Sequence, residues 1–221
     1  MGSQKDENKI MIHLSLTQKQ IIYGIILGDG YLQKTGKKNA RLRLEHGKNQ
    51  KEYLFWKVDK FKKIFQGKPK YMERIHPKTK RKYGYWRHQS VSTPYLGKLR
   101  RIFYPQDKKR IPNDLKKYLS PRTLAVWYMD DGYFYLRDND CHLYLGRVSR
   151  EEAENASQAI LDLFNLSNKV IDKKIKGYVI YFSPKIAKKL KKLLKKYIIP
   201  QFNYKFPSDP VTTDSLAQAK R

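Results

Sequence analysis

The chain predicts an α+β fold made of two pseudo-symmetric halves, each running α-β-β-α-β-β-α with antiparallel sheets. Three observations carry that prediction. An apolar, helix-compatible run ending in an acid and a glycine occurs twice, as Ile22-Tyr23-Gly24-Ile25-Ile26-Leu27-Gly28-Asp29-Gly30 and as Leu124-Ala125-Val126-Trp127-Tyr128-Met129-Asp130-Asp131-Gly132. Each run leads into aromatic, strand-like residues, Tyr31-Leu32 and Tyr133-Phe134. Later landmarks recur at similar offsets: Asp29 and Asp131 stand 102 positions apart, Pro94 and Pro184 stand 90, and Pro112 and Pro207 stand 95. A duplication with small loop differences explains all three.

In the first half, covering residues 10–112, Thr17 is the expected N-cap of a helix ending near Asp29. A hairpin follows, from Tyr31 to Thr35 and from Ala40 to Glu45 around Gly36-Lys37-Lys38-Asn39. Leu54, Val58, Phe61 and Phe65 recur at helical spacing, which predicts an amphipathic helix. Lys70 to His76 and Tyr83 to Val91 read as a second hairpin across Pro77-Lys78-Thr79-Lys80-Arg81-Lys82. Thr93-Pro94 opens the next helix, because proline is tolerated at the first helical position.

The second half, covering residues 118–207, repeats the order. Ser120-Pro121 opens a helix ending near Asp131, and a hairpin turns at Asp138-Asn139-Asp140. Ser149 and Glu152 have capping-box spacing for a helix through Phe164. Val170 to Ile175 and Tyr178 to Phe182 pair around Lys176-Gly177, and Ser183-Pro184 starts the last long helix. Residues 1–9 and 208–221 are polar and without periodicity, and are expected to be loose ends.

Composition narrows the function. The chain has 221 residues, of which 40% are apolar, so it is long and hydrophobic enough to fold around a sizeable core. Lys and Arg number 48 against 20 Asp and Glu, a formal charge of +28. Such a field draws a polyanion, nucleic acid or an anionic membrane. The apolar runs are too short to span a bilayer and no signal peptide opens the chain, which favours nucleic acid. One cysteine, Cys141, excludes an intrachain disulfide and a Cys-based zinc site. The five histidines lack zinc-ligand spacing, so paired acids here call for a hard cation held by carboxylate and water. Tyr128-Met129-Asp130-Asp131 also spells a polymerase-like YxDD. That motif belongs on a hairpin turn, whereas Ser120-Pro121 starts a helix here, and it leaves Asp29 unexplained. The Gly24 to Gly30 stretch lacks the Gly-Lys-Ser/Thr ending of a phosphate-binding loop.

The two nine-residue segments, with their acids in the eighth position at Asp29 and Asp131, resemble the motif of the LAGLIDADG homing endonucleases in their monomeric, two-motif form. The resemblance runs over residues 15–207 and includes Ile111-Pro112-Asn113, Ile199-Pro200-Gln201 and Tyr204-Lys205-Phe206-Pro207. It implies that the motif helices pack side by side at a pseudo-twofold interface beneath a DNA-binding saddle. It implies Mg²⁺ held by Asp29 and Asp131 and by the backbone carbonyls of Gly28 and Asp130, with Ca²⁺ supporting binding without cleavage. Asp29 and Asp131 would each serve one strand of a long, asymmetric target, giving a double-strand break with 3′ overhangs. The family's lysine near each site maps to Lys205 and Lys109, although alignment on the prolines sets Arg110 against Lys205. The alternative implied function is an intron RNA maturase with the same fold, which makes intron RNA a second candidate partner. Monomeric action inside an organelle or a microbial cytoplasm, away from membranes, completes the expectation.

Strand alternation assigns the DNA-reading candidates. With Leu32, Leu42 and Leu44 inward, Tyr31, Gln33, Arg41 and Arg43 face out, joined by Arg87 of the second hairpin. With Phe134, Leu136, Leu143 and Leu145 inward, Tyr133, Tyr135, His142 and Tyr144 face out. Arg and Gln on such a face suit guanine and adenine edges in the major groove.

Overall fold

The computed structural model describes residues 12–206, so both stretches expected to be loose, 1–9 and 208–221, lie outside the described residues, as does Pro207. The described residues form two compact units: 12–18 with 30–109, and 19–29 with 110–206. The first motif helix, α1 (Leu16–Leu27), therefore contributes most of its length to the second unit. Its start is set by Ser15 rather than by Thr17. The Gln18 amide donates to Ser15 Oγ at 3.2 Å and the Ser15 amide donates to Gln18 Oε1 at 3.0 Å, a reciprocal cap two residues earlier than expected.

In the first unit, β1 (Tyr31–Lys34), β2 (Ala40–Gly47), β3 (Lys70–Ile75) and β4 (Lys82–Gln89) form one antiparallel sheet in the order β1-β2-β4-β3. The Thr35 amide closes the first turn on Asn39 O at 3.1 Å. Leu32, Leu42 and Leu44 are buried as alternation requires, against Leu54, Phe61, Leu96, Leu99 and Phe103. α2 (Lys51–Asp59) is shorter than the helical spacing suggested, and Phe61 and Phe65 follow it in turns. Both phenylalanines remain buried, so the periodic pattern recorded burial beyond the helix that produced it. α3 (Pro94–Phe103) is capped by Thr93, whose Oγ1 accepts from the Leu96 amide.

The second unit repeats this arrangement. α4 (Pro121–Asp131) is capped by Ser120 Oγ, which accepts from the Thr123 amide at 3.0 Å. β5 (Gly132–Tyr135), β6 (Asp140–Gly146), β7 (Lys169–Asp172) and β8 (Tyr178–Phe182) form a second antiparallel sheet in the order β5-β6-β8-β7. α5 (Arg150–Phe164) carries the Ser149–Glu152 capping box in full, and α6 (Pro184–Leu194) follows Ser183. Leu143, Ile180 and Phe182 line the sheet's buried face, where α5 and α6 add Ala156, Ile160, Leu190 and Leu194. Two details differ from the alternation. Leu136 lies past the end of β5 and is 37% exposed, and β7 stops at Asp172, whose Oδ1 accepts from the Lys174 amide where that residue turns to positive φ. No helix among the described residues is long and apolar enough to cross a membrane.

Candidate active site at the end of a helix pair

Within the second unit, α1 and α4 lie against each other along two glycines. A Cβ on Gly24 would stand 2.6 Å from the Thr123 carbonyl oxygen and 2.6 Å from Val126 Cβ, and one on Gly28 would stand 2.6 Å from Asp130 Cβ. Val126 and Asp130 hold in the second motif the places that Gly24 and Gly28 hold in the first. The missing glycines of the second motif thus leave the seam closed, because each larger residue occupies the space its counterpart vacates. Thr123 Oγ1 donates to Gln20 O at 3.1 Å, and Tyr23 meets Tyr118 edge to face at 5.2 Å, so α1 is tied to the N-terminal end of α4. Ile21, Ile22, Ile25 and Ile26 on α1 and Leu124, Trp127 and Tyr128 on α4 are fully buried around this contact.

The seam ends in carboxylates. α1 closes with the Gly28 amide on Gly24 O at 2.9 Å, and the Asp29 amide then donates to Asp130 Oδ2 at 3.1 Å. That bond joins the two motifs across a sequence separation of 101 residues. Asp29 is exposed, Asp130 and Asp131 are half-buried, and Gly28 is buried. Asp130, the residue before the second motif's acid, thus enters this contact through its side chain and not only through its carbonyl. Carboxylates at helix C-termini add to the partial negative charge that the helix dipole places there, so the cluster is electrostatically suited to cations.

Lys205 supplies one cation. It is 7% exposed, and its Nζ donates to Tyr128 O at 3.2 Å and to Met129 O at 2.5 Å, the carbonyls just before Asp130. Phe206 stacks on Tyr128 with ring centroids 4.7 Å apart, which holds the Lys205 segment on α4. Lys109, its first-half counterpart, is exposed and belongs to the first unit. Arg110 instead braces α5, where its Nη1 donates to Glu152 Oε2 at 2.9 Å and the neighbouring Ile111 amide donates to Glu152 Oε1 at 2.8 Å.

The two sheets carry their other candidates on the face away from the leucines. In the first unit the register sets Tyr31 opposite Arg43, Gln33 opposite Arg41, and Glu45 opposite Arg87. Arg41 Nε donates to Gln33 Oε1 at 3.0 Å. Glu45 Oε1 receives both Arg43 and Arg87, at 2.7 and 2.6 Å, so one acid fixes two guanidinium groups. Arg87 and Arg74 also lie over the Tyr85 ring, at 5.4 and 5.5 Å. Sequence reasoning passed over Glu45 and Tyr85, although Tyr85 stands two positions from Arg87 on the same strand and so shares its face.

In the second unit, Tyr133, Tyr135 and Tyr144 share a face with His142, Asp140 and Tyr181. Tyr135 and Tyr144 join hydroxyls at 2.7 Å. His142 is only 7% exposed and Asp140 8%, because the tyrosines cover them. Burial, more than the nearby Lys173, lowers the His142 imidazole below its ordinary value, while Asp140 at 3.6 Å works the other way. Burial likewise raises the Asp140 carboxyl. The first sheet thus presents guanidinium groups and the second presents phenols over a buried polar pair.

The LAGLIDADG DNA endonuclease family model matches residues 19–190, and the chain belongs to that family. A probable intron-encoded endonuclease 1 of Wickerhamomyces canadensis is 30% identical over 207 residues, covering 91% of this chain and 88% of the relative. The solved homing endonuclease I-WcaI, bound to its DNA recognition sequence, superposes with a TM-score of 0.83 at 30% identity, over 90% of this chain and 89% of that one. RecA of Mycolicibacterium flavescens is 35% identical over 127 residues, 56% of this chain, and the chain spans 28% of that protein's length.

Proposed function

We propose that the chain is a site-specific homing endonuclease that makes a Mg²⁺-dependent double-strand break in a long, asymmetric duplex and leaves 3′ overhangs. The observation that supports this reading is the bond from the Asp29 amide to the Asp130 carboxylate where α1 and α4 end, with Asp131 the last residue of α4. Carboxylates beside two helix C-termini fit a hard divalent cation. Asp29 and Asp131 would hold it through their carboxylates, with the carbonyls of Gly28 and Asp130 as further ligands. When bound, the metal polarises the scissile phosphate, lowers the pKa of the attacking water and stabilises the leaving 3′ oxygen. Ca²⁺, which is larger and less demanding in geometry, is expected to support binding without cleavage.

Lys205, buried on α4, positions the chain around Asp130 and Asp131, while Lys109 serves as a solvent-side cation toward phosphate. Tyr31, Gln33, Arg41, Arg43 and Arg87 read bases from the first sheet. Tyr133, Tyr135 and Tyr144 make the second sheet's contacts, with His142 beneath them. The duplicated segments are 10–112 and 118–207, and the protein acts as an internal pseudo-dimer, one chain per duplex, inside an organelle or a microbial cytoplasm.

The test is cleavage selection on a randomised duplex library, run with Mg²⁺, with Ca²⁺ and with EDTA. Defined double-strand ends carrying 3′ overhangs with Mg²⁺ alone are expected. The absence of any cut duplex under Mg²⁺, or cutting that persists in EDTA, contradicts the proposal.

A further inference from the structure

The second unit carries a charged surface that chemistry at the helix seam does not use. α6 buries Ile186, Ala187, Leu190 and Leu194, and it packs on the sheet face that holds Leu143 and Ile180. Its outer side therefore looks away from Tyr133, Tyr144 and Tyr181, which stand on the opposite face of that sheet. That outer side is lysine: Lys185, Lys188, Lys189 and Lys192, then Lys195 and Lys196 just beyond the helix, are all exposed. No acidic residue occurs from Pro184 to Phe206. Like charges one helical turn apart repel, so this stripe costs stability unless an anion meets it.

Beside the stripe is an open cleft of about 500 Å³, lined by Phe164, Leu166 and Leu193 together with Lys189, Lys192 and Lys196. Apolar walls and an aromatic ring edged by ammonium groups match one chemistry: a planar base on a phosphate chain. Lys189, Lys192 and Lys196 recur at turn spacing, roughly 5 Å along a helix, and so offer successive cations to a backbone that tracks past.

We propose that this face is a second nucleic-acid-binding surface, one that takes a single strand with a base seated in the cleft over Phe164 and its phosphates on the α6 lysines. A duplex hides its base faces within the stack, whereas a single strand presents them to an aromatic ring. A lipid surface is the poorer partner, because the apolar side of α6 is packed inside the core and cannot enter a membrane. This surface does not depend on cleavage, and a strand held there leaves the tyrosine face of the same sheet open.

The experiment is fluorescence anisotropy on the full chain in EDTA, with a fluorescein-labelled mixed-sequence 20-mer as RNA, as DNA, and as a DNA duplex. The triple variant Lys189→Gln, Lys192→Gln, Lys196→Gln is expected to bind single strands at least about ten-fold more weakly, with a shallower salt dependence. Phe164→Ala is expected to lose about five-fold or more, and Phe164→Trp to recover it. Duplex binding by the same variants stays within about two-fold of wild type if the sheets hold the duplex. The RNA and DNA arms identify which strand the cleft prefers. Ultraviolet crosslinking of a halogenated-pyrimidine strand is expected on the peptide that holds Phe164. Unchanged single-strand affinity in the triple variant, or crosslinks confined to the sheet strands, overturns the proposal.

Discussion

The Asp29 main-chain N–H donates to the Asp130 carboxylate at 3.1 Å, so the acidic end of the first motif is held by a side chain of the second. Asp130→Ala removes the acceptor, while Asp130→Asn keeps an oxygen at the same place. We expect the alanine variant to lose about 1 kcal/mol and the asparagine variant less than half of that, since a single hydrogen bond contributes on this scale. Urea titration of the three proteins reads the difference.

Gly24→Ala gives a prediction whose sign is diagnostic. In an isolated helix the change raises helix propensity by up to about 1 kcal/mol. Here the new methyl meets the Thr123 carbonyl and Val126 Cβ at 2.6 Å each. Overpacking costs about 1–3 kcal/mol, so the variant should be less stable than wild type. Combining it with Val126→Gly, which removes that Cβ, should recover part of the loss, and a double-mutant cycle measures that coupling. Additive losses would mean that the two positions do not touch.

Lys205→Met keeps the length of the side chain and removes its charge. Its ammonium donates to two carbonyls at the end of α4, where a cation also faces the helix dipole. A loss of about 1–3 kcal/mol is expected by thermal denaturation, the range for hydrogen bonds to charged groups.

Acid should weaken the second unit in two steps. Burial holds the His142 imidazole below its ordinary value, so the unfolded chain takes the proton first, and stability falls as pH drops below about 6.5. Burial would raise the Glu152 carboxyl, but the Ser149 and Ile111 amides, the Arg110 guanidinium and the Ser149 hydroxyl together hold it below the usual carboxylate range. Its contribution is complete above about pH 4.5 and is lost as pH falls through the lowered value. Chemical denaturation across pH should show His142→Gln flattening the upper step and Glu152→Gln the lower one.

Cys141 is fully buried, and burial pushes its thiol up to about 12. A thiol in that state reacts only when the structure opens. Labelling with a thiol reagent at neutral pH should follow the unfolding rate, and fast stoichiometric labelling of the native protein would contradict the buried placement.

How much of the fold the chain reveals on its own follows the range of each signal. Thr93, Ser120 and the Ser149–Glu152 pair are legible as caps because capping acts within four residues, and all three are found in place. Ser15 escapes notice because Thr17 also suits a cap, and only the reciprocal bond with Gln18 decides between them. Alternation names the sheet faces but cannot show that tyrosines cover His142, since cover depends on cross-strand neighbours. The two glycines of α1 announce a close approach. What they approach, Val126 and Asp130, requires the long-range pairing. The placement of α1 with the second unit has no local signal.

Strand-resolved cleavage of a selected duplex by wild type, Asp29→Asn and Asp131→Asn under Mg²⁺ tests the paired-acid seam most directly. Wild type should cut both strands, and each variant should fail to make double-strand breaks while binding the duplex within about two-fold of wild type in Ca²⁺, because contacts away from the chemistry supply the affinity. Double-strand cleavage at the wild-type rate by both variants would contradict the assignment of chemistry to the end of the helix pair.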